Sequence, residues 1–96
     1  MSEKNSVIYA IGGEIDHHTA GKLRCELDSL IMDERPCKLT FDFTNVKFMD
    51  SSGIGLVLGR HRIMSAFGGT VEIIGVSENI RRLFKMSGVD KIIDIK

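Results

Sequence analysis

Apolar and polar positions alternate in two rhythms along this chain. Val7 to Ile11 is short, β-branched and aromatic and runs into Gly12-Gly13, which predicts a strand. Glu14-Ile15-Asp16 reads either as a second short strand or as the entry to a helix. Ala20, Leu23, Leu27, Leu30 and Ile31 then recur at helical spacing. Asp16 or Thr19 is placed to cap that helix, and Pro36 stands just past its end. Leu39, Phe41 and Phe43 alternate with Thr40 and Asp42, the pattern of a half-buried strand. A loop is expected from Thr44 to Asp50.

The next helix is expected to start at Ser51 or Ser52 and to run to about Phe67, where Gly68-Gly69 ends it. Val71, Ile73, Ile74 and Val76 predict a strand. Ser77 caps a helix through Ile80, Leu83 and Phe84, closed by Gly88. Ile92, Ile93 and Ile95 form a last short strand. Strands separated by crossover helices argue for an α/β fold with a partly parallel sheet and right-handed connections.

Composition narrows the function classes. The 96 residues carry 13 basic and 13 acidic side chains, and 43% are hydrophobic. Neutral net charge supplies no polybasic footprint for nucleic acid or anionic lipid. No apolar run is long enough to span a membrane. The first residues, Met1 to Ser6, lack an apolar stretch after a basic start, so no signal peptide is expected. The neutrality hides an asymmetry: residues 1–50 hold 9 acids against 6 bases, and residues 51–96 hold 4 against 7. Such a dipole orients a protein partner, or is simply solvated surface. Cys25 and Cys37 lack a His at ligand spacing, so neither a disulfide scaffold nor zinc is expected. They read as reduced thiols of a cytoplasmic protein, one or both buried.

The most informative stretch is Phe48-Met49-Asp50-Ser51-Ser52-Gly53-Ile54-Gly55, between a strand and a helix. In α/β sheets the carboxyl ends of strands are where sites are built. The first-turn amides of a helix have no partner within the helix and favour negative charge. Ser51 or Ser52 serves there either as a plain cap or as a phosphate acceptor. A phosphoserine brings about −1.5 to −2 charges to an anion-tolerant place. Gly53 and Gly55 are expected to leave the first turn bare enough for another molecule's backbone to approach.

Other patterns carry less. Gly53, Gly55 and Gly59 approach a dinucleotide fingerprint, which leaves a small nucleotide-binding or phosphoryl-handling protein as an alternative. Against it, no acidic residue ends the next strand, and the chain lacks length for a second mononucleotide half. A nucleophile elbow is absent, because Met49 and Asp50 precede Ser51. Asp16-His17-His18 groups three potential metal ligands, but neighbours at a helix start point apart, so capping or a partner contact is the better reading. His61 is read as a core-edge histidine, and Arg81, Arg82 and Lys85 as a solvated helix face. The second helix carries two apolar stripes: Ile54, Val57, Leu58, His61 and Met64 form one, and Leu56, Gly59, Ile63 and Phe67 the other. One stripe faces the sheet; the other packs on a neighbouring helix or serves as a docking patch.

Three segments resemble the STAS-domain anti-sigma-factor antagonists of bacteria, most nearly the sporulation antagonists of endospore formers. They are Gly13-Glu14-Ile15-Asp16-His17-His18-Thr19-Ala20, Phe48 through Arg60, and Arg81 through Gly88. The resemblance implies a single STAS domain over residues 1–96, an α/β fold whose mixed sheet has four to five strands, with helices mainly on one face. It also implies a regulator that is not an enzyme and needs no cofactor or metal. Such a protein binds an anti-sigma factor that is a serine kinase, with ATP or ADP bound, and so releases the sigma factor. Phosphorylation of the first serine after the aspartate, here Ser51, ends the complex, and a PP2C-type serine phosphatase reverses it. The partner surface then comprises Asp16, His17, Asp50, Ser51, Ser52, Gly53, Ile54 and Gly55, with no direct role for nucleic acid or membrane. A stress-response member with a different kinase is a further alternative, against which Asp16-His17-His18 speaks by resemblance.

Overall fold

A computed structural model describes residues 5–96; the chain start, read above for a signal peptide, lies largely outside them. The described residues form strand β1 (Ser6–Ile15), helix α1 (His17–Glu34), strand β2 (Lys38–Met49), helix α2 (Ser51–Ala66), strand β3 (Thr70–Ile74), helix α3 (Glu78–Ser87) and strand β4 (Asp94–Ile95). A single 3-10 turn, Val89–Lys91, leads into β4. The strands lie in the order β1-β2-β3-β4. All three pairings are parallel, so the expected mixed sheet is a parallel one among the described residues. The reason is that Glu14-Ile15 continues β1 instead of turning back as a strand of its own.

β2 departs most from the sequence reading. The segment expected as a loop, Thr44 to Asp50, stays extended as far as Met49 and pairs with Gly12 to Ile15. It does so with two register shifts, between Ala10 and Gly12 and between Gly13 and Glu14, where β2 takes an additional residue each time. Such bulges let a polar, irregular run remain in a ladder while the strand bends. The bends bring Ile15 and Met49 opposite each other at the strand ends.

One sheet face is the core. Ile11 and Ile15 of β1, Leu39, Phe41 and Phe43 of β2, and Val71 and Ile73 of β3 are buried with Leu27 and Ile31 of α1, Leu56, Val57 and Met64 of α2, and Ile80 and Phe84 of α3. The Phe43 ring lies 6.4 Å from Phe41, edge-on, and 5.8 Å from Phe84. That pair ties α3 to the sheet. Among the described residues the opposite face carries no helix. On it Ser6, Ile8 and Ala10 are exposed. A parallel sheet is usually covered on both sides; here the bare face is polar at its centre. Thr40 donates to Glu72 at 2.9 Å, and Lys38 and Lys96 pair with Glu72 at 3.4 and 3.1 Å.

Of the two expected caps of α1, Asp16 takes the N-cap position and Thr19 completes its capping box, and Gly88 closes α3 in the left-handed conformation at φ 83°. Both cysteines are free and exposed, contrary to the expected burial: Cys25 lies on the outer side of α1 and Cys37 just before β2. No described helix is long and apolar enough to cross a membrane.

Tyr9 offers a direct check on the packing of α1 against β1. Its hydroxyl donates to Glu26 Oε1 at 2.7 Å. Burial first, and then the Glu26 carboxylate, push the phenol up to about 12. The raised value means that this contact contributes stability in full below the ordinary phenol value, and that the contribution fades as pH rises toward the folded one. The chain has one tyrosine and no tryptophan. The tyrosinate absorbance of the folded protein is therefore expected to titrate near 12, and Glu26→Gln to bring it down. A midpoint near the ordinary phenol value in the folded wild type would contradict the contact.

Candidate functional site: two helix starts at one sheet edge

The site is built where β1 and β2 end side by side. Ile15 and Met49 are register partners, and each strand passes through one aspartate into a helix. The Asp50 amide donates to the Ile15 carbonyl at 3.1 Å, which locks the two aspartates into adjacent positions. Asp16 accepts from the amides of His18 and Thr19, both at 2.9 Å. The Asp16 amide in turn donates to the Thr19 hydroxyl at 3.0 Å, a reciprocal capping box. These bonds, the Thr19 amide first, hold the Asp16 carboxyl below its usual range. Asp50 caps α2 in the same way, accepting from the Ser52 amide at 2.8 Å.

The cap therefore belongs to the aspartate and not to either serine. Ser51 and Ser52 are the first two residues of α2, and neither hydroxyl makes a hydrogen bond among the described residues. Ser51 is exposed and Ser52 half-buried. A hydroxyl without a structural task, held on a rigid helix start, is open to chemistry at no cost to the fold.

The structure brings the expected residues together unevenly. Asp16 and Asp50 sit side by side at the strand ends, His17 and Ser51 follow them and are exposed, Ser52 and Gly55 line one cleft with His17, and Ile54 is half-buried. Gly53 does not line that cleft. It is buried, and a Cβ there would run into the Met49 side chain and lie 3.2 Å from Ile15 Cγ2. Its small size lets α2 settle on the strand ends and leaves no opening for another molecule's backbone. Gly53→Ala is expected to destabilise by about 1 kcal/mol, as overpacking of about 1–3 kcal/mol outweighs the better helix propensity of alanine. Urea unfolding measures this, and unchanged or raised stability would refute the tight approach.

The glycine-loop alternative loses its basis in the same geometry. The Asp50 side chain and carbonyl already occupy the Ser52 and Gly53 amides, the latter at 3.0 Å. A carboxylate therefore stands where a cradled phosphate would need to sit. Gly59, a turn and a half further on, faces no neighbour within 4 Å.

Two features escaped the sequence reading. Phe48 is 52% exposed beside the cap and adds an apolar contact to this polar surface. Arg60 is 6% exposed, on the inward face of α2 with Gly53, Leu56, Val57 and Met64. That face takes members of both expected stripes and leaves Ile54, Leu58 and Ile63 half-buried. The spacing from Gly53 through Leu56, Val57 and Arg60 to Met64 was the available signal. His61 is half-buried, as expected, and its Nδ1 is buried without a partner among the described residues. Arg81, Arg82 and Lys85 are exposed.

Beside Ser52, a cleft of about 540 Å³ opens between α1 and α2, with His17, Arg24, Ser52 and Arg60 among its walls. No group of three or more metal-ligating side chains occurs among the described residues, and Asp16, His17 and His18 do not converge.

Known proteins share this fold. The STAS domain profile matches residues 1–96. The anti-sigma F factor antagonist of Paenibacillus polymyxa is 36% identical over 89 residues, 93% of this chain and 76% of that protein. The anti-sigma-B factor antagonist of Bacillus subtilis is 35% identical over 92 residues, 96% of this chain and 83% of that protein. Among solved structures, unphosphorylated SpoIIAA superposes with a TM-score of 0.84 at 31% identity, over 100% of this chain and 84% of that one. SpoIIAA of Bacillus in its phosphorylated form gives 0.74 at 31% identity, over 100% and 86%. With two strand ends, two aspartate caps and a spare serine arranged on this fold, the chain belongs to the STAS-domain family of anti-sigma factor antagonists.

Proposed function

We propose that this protein is a partner-switching regulator controlled by phosphorylation of Ser51. The unmodified form binds an anti-sigma factor that is also an ATP-dependent serine kinase, and so frees a sigma factor. The kinase esterifies Ser51 and the complex ends; a PP2C-type serine phosphatase restores the binding form. The protein itself performs no catalysis, needs no cofactor and acts in the cytoplasm as a single domain. The observation that carries the reading is the Ser51 hydroxyl: exposed, at the first position of α2, and relieved of capping by Asp50. A solved phosphorylated form of SpoIIAA supports it. So does the meeting of the Asp16 and Asp50 caps at one sheet edge; Gly53 lets α2 settle against Met49 beneath.

The physics is local. A phosphoserine adds about −1.5 to −2 charges and three acceptor oxygens. Placed against closely packed or acidic partner groups, it opposes docking through repulsion and desolvation. It needs no refolding, since the hydroxyl it replaces holds nothing together.

The test is mass spectrometry after incubation with ATP and the cognate anti-sigma kinase. One phosphate on Ser51 is expected, with amide shifts confined to about residues 48–58. Stoichiometric labelling of Ser51→Ala on Ser52 would move the site. Tight ATP, GTP or NAD binding by the isolated protein would instead favour a nucleotide-handling role.

A further inference from the structure

The cleft between α1 and α2 holds more positive charge than the protein neutralises. Arg60 is 6% exposed, and its Nε lies 3.1 Å from Asp28 Oδ1, out of line for a hydrogen bond. Its Nη1 is buried with no partner among the described residues. Burial lowers the guanidinium from its ordinary value, Asp28 works against that, and the charge of Arg24 adds to it. The group nevertheless stays charged throughout the physiological range. Arg24 itself is exposed on the wall of the cleft. The cleft thus gathers two guanidinium groups, and the carboxylate beside Arg60 has a side chain 41% exposed to water. A buried cationic donor without an acceptor is costly. Gly21 and Gly55, which present no side chains, keep the approach to it open, and Ser52 adds a hydroxyl with no hydrogen bond among the described residues.

We propose that this cleft receives a carboxylate side chain of the anti-sigma partner, which pairs with Arg24 and Arg60. This rests on the partner-switching reading above. A carboxylate matches the planar fork of a guanidinium and accepts from two of its N–H groups at once. A protein-borne carboxylate is favoured over a free anion by position. Ser52 lines the cleft and directly follows the exposed Ser51 at the start of α2, so the cleft opens beside the serine site. A free anion would bear the whole loss of translational freedom in an open, mostly polar cleft, whereas a carboxylate on a docked partner shares that loss with the rest of the interface. The cleft then supplies a second anchor, separate from the serine, that sets which kinase this antagonist accepts.

The test compares wild type, Arg24→Gln and Arg24→Glu for binding to the cognate anti-sigma factor by calorimetry. Arg24 is exposed, so both variants are expected to fold, and thermal melts verify it. Arg24→Gln is expected to weaken binding severalfold and Arg24→Glu at least tenfold, within the range of interfacial charge pairs. One Glu→Lys or Asp→Lys substitution in the partner should restore binding to Arg24→Glu alone. If wild type binds and Arg24→Glu stays within twofold of it, the proposal is overturned while the Ser51 switch stands. If wild type does not bind, the switch itself fails and this inference with it. In a second arm, the isolated protein is titrated with sodium phosphate while the arginine Nε–H signals are followed. Saturation below about 1 mM, some −4 kcal/mol of binding on its own, would make the cleft a free-anion site and overturn the partner assignment.

Discussion

Ser51→Glu is expected to bind the anti-sigma kinase a few hundredfold more weakly than wild type, while Ser51→Ala binds at least as well and accepts no phosphate. The size follows from the position. Ser51 is exposed at the first residue of α2, next to the Asp50 carboxylate that caps the helix. A second negative charge beside that carboxylate meets the partner across a closed interface, where desolvation and repulsion together cost about 3–4 kcal/mol. That is a few hundredfold in affinity. The cap bond from the Ser52 amide to Asp50 does not pass through the Ser51 side chain, so neither substitution is expected to lower the melting temperature appreciably. Calorimetry against the kinase and a thermal melt measure both quantities. A Ser51→Glu protein that holds its partner as firmly as wild type would remove the switch.

Phe43→Ala is expected to bring the largest loss of stability. Its side chain is 1% exposed and sits between Phe41 and Phe84, the contact through which α3 reaches the sheet. Truncating a buried phenylalanine costs about 3–5 kcal/mol, the lost transfer energy plus the cavity left behind. For a domain of this size each kcal/mol lowers the melting temperature by roughly 4–8 °C, so a fall of about 12 °C or more is expected. The ring partners of Phe43 are Phe41 and Phe84 and include no residue of the candidate site, so kinase binding at low temperature should persist. A small change in melting temperature would mean that α3 is held by other contacts.

Much of this arrangement is legible in the chain because its signals are local. The apolar spacing in α1, the strand alternation of Leu39, Phe41 and Phe43, Ser77 before α3 and Gly88 after it each act within one or two turns of chain. The location of the site follows the same logic, since Asp50 and Ser51 stand at a strand-to-helix junction. What misled was competition between elements distant in sequence. Thr44 to Phe48 has the composition of a loop, and only the bulged pairing with β1 makes it a strand. Cys25 and Cys37 belong to a residue type that is usually buried, yet both fall on the surface because neither lies on a core-facing position.

By itself, then, the sequence determined the alternation of strands and helices, the junction that carries Ser51, and the zero net charge of the chain. Each of those depends on residue type and short-range spacing. Tertiary structure alone decided that Asp50 takes the cap and frees the serines, that Gly53 faces inward against Met49, and that Arg24 and Arg60 share a cleft with too few acceptors. These outcomes depend on which atoms meet across β1, β2, α1 and α2, and a hydrogen bond or an unpaired charge exists only once that meeting has occurred.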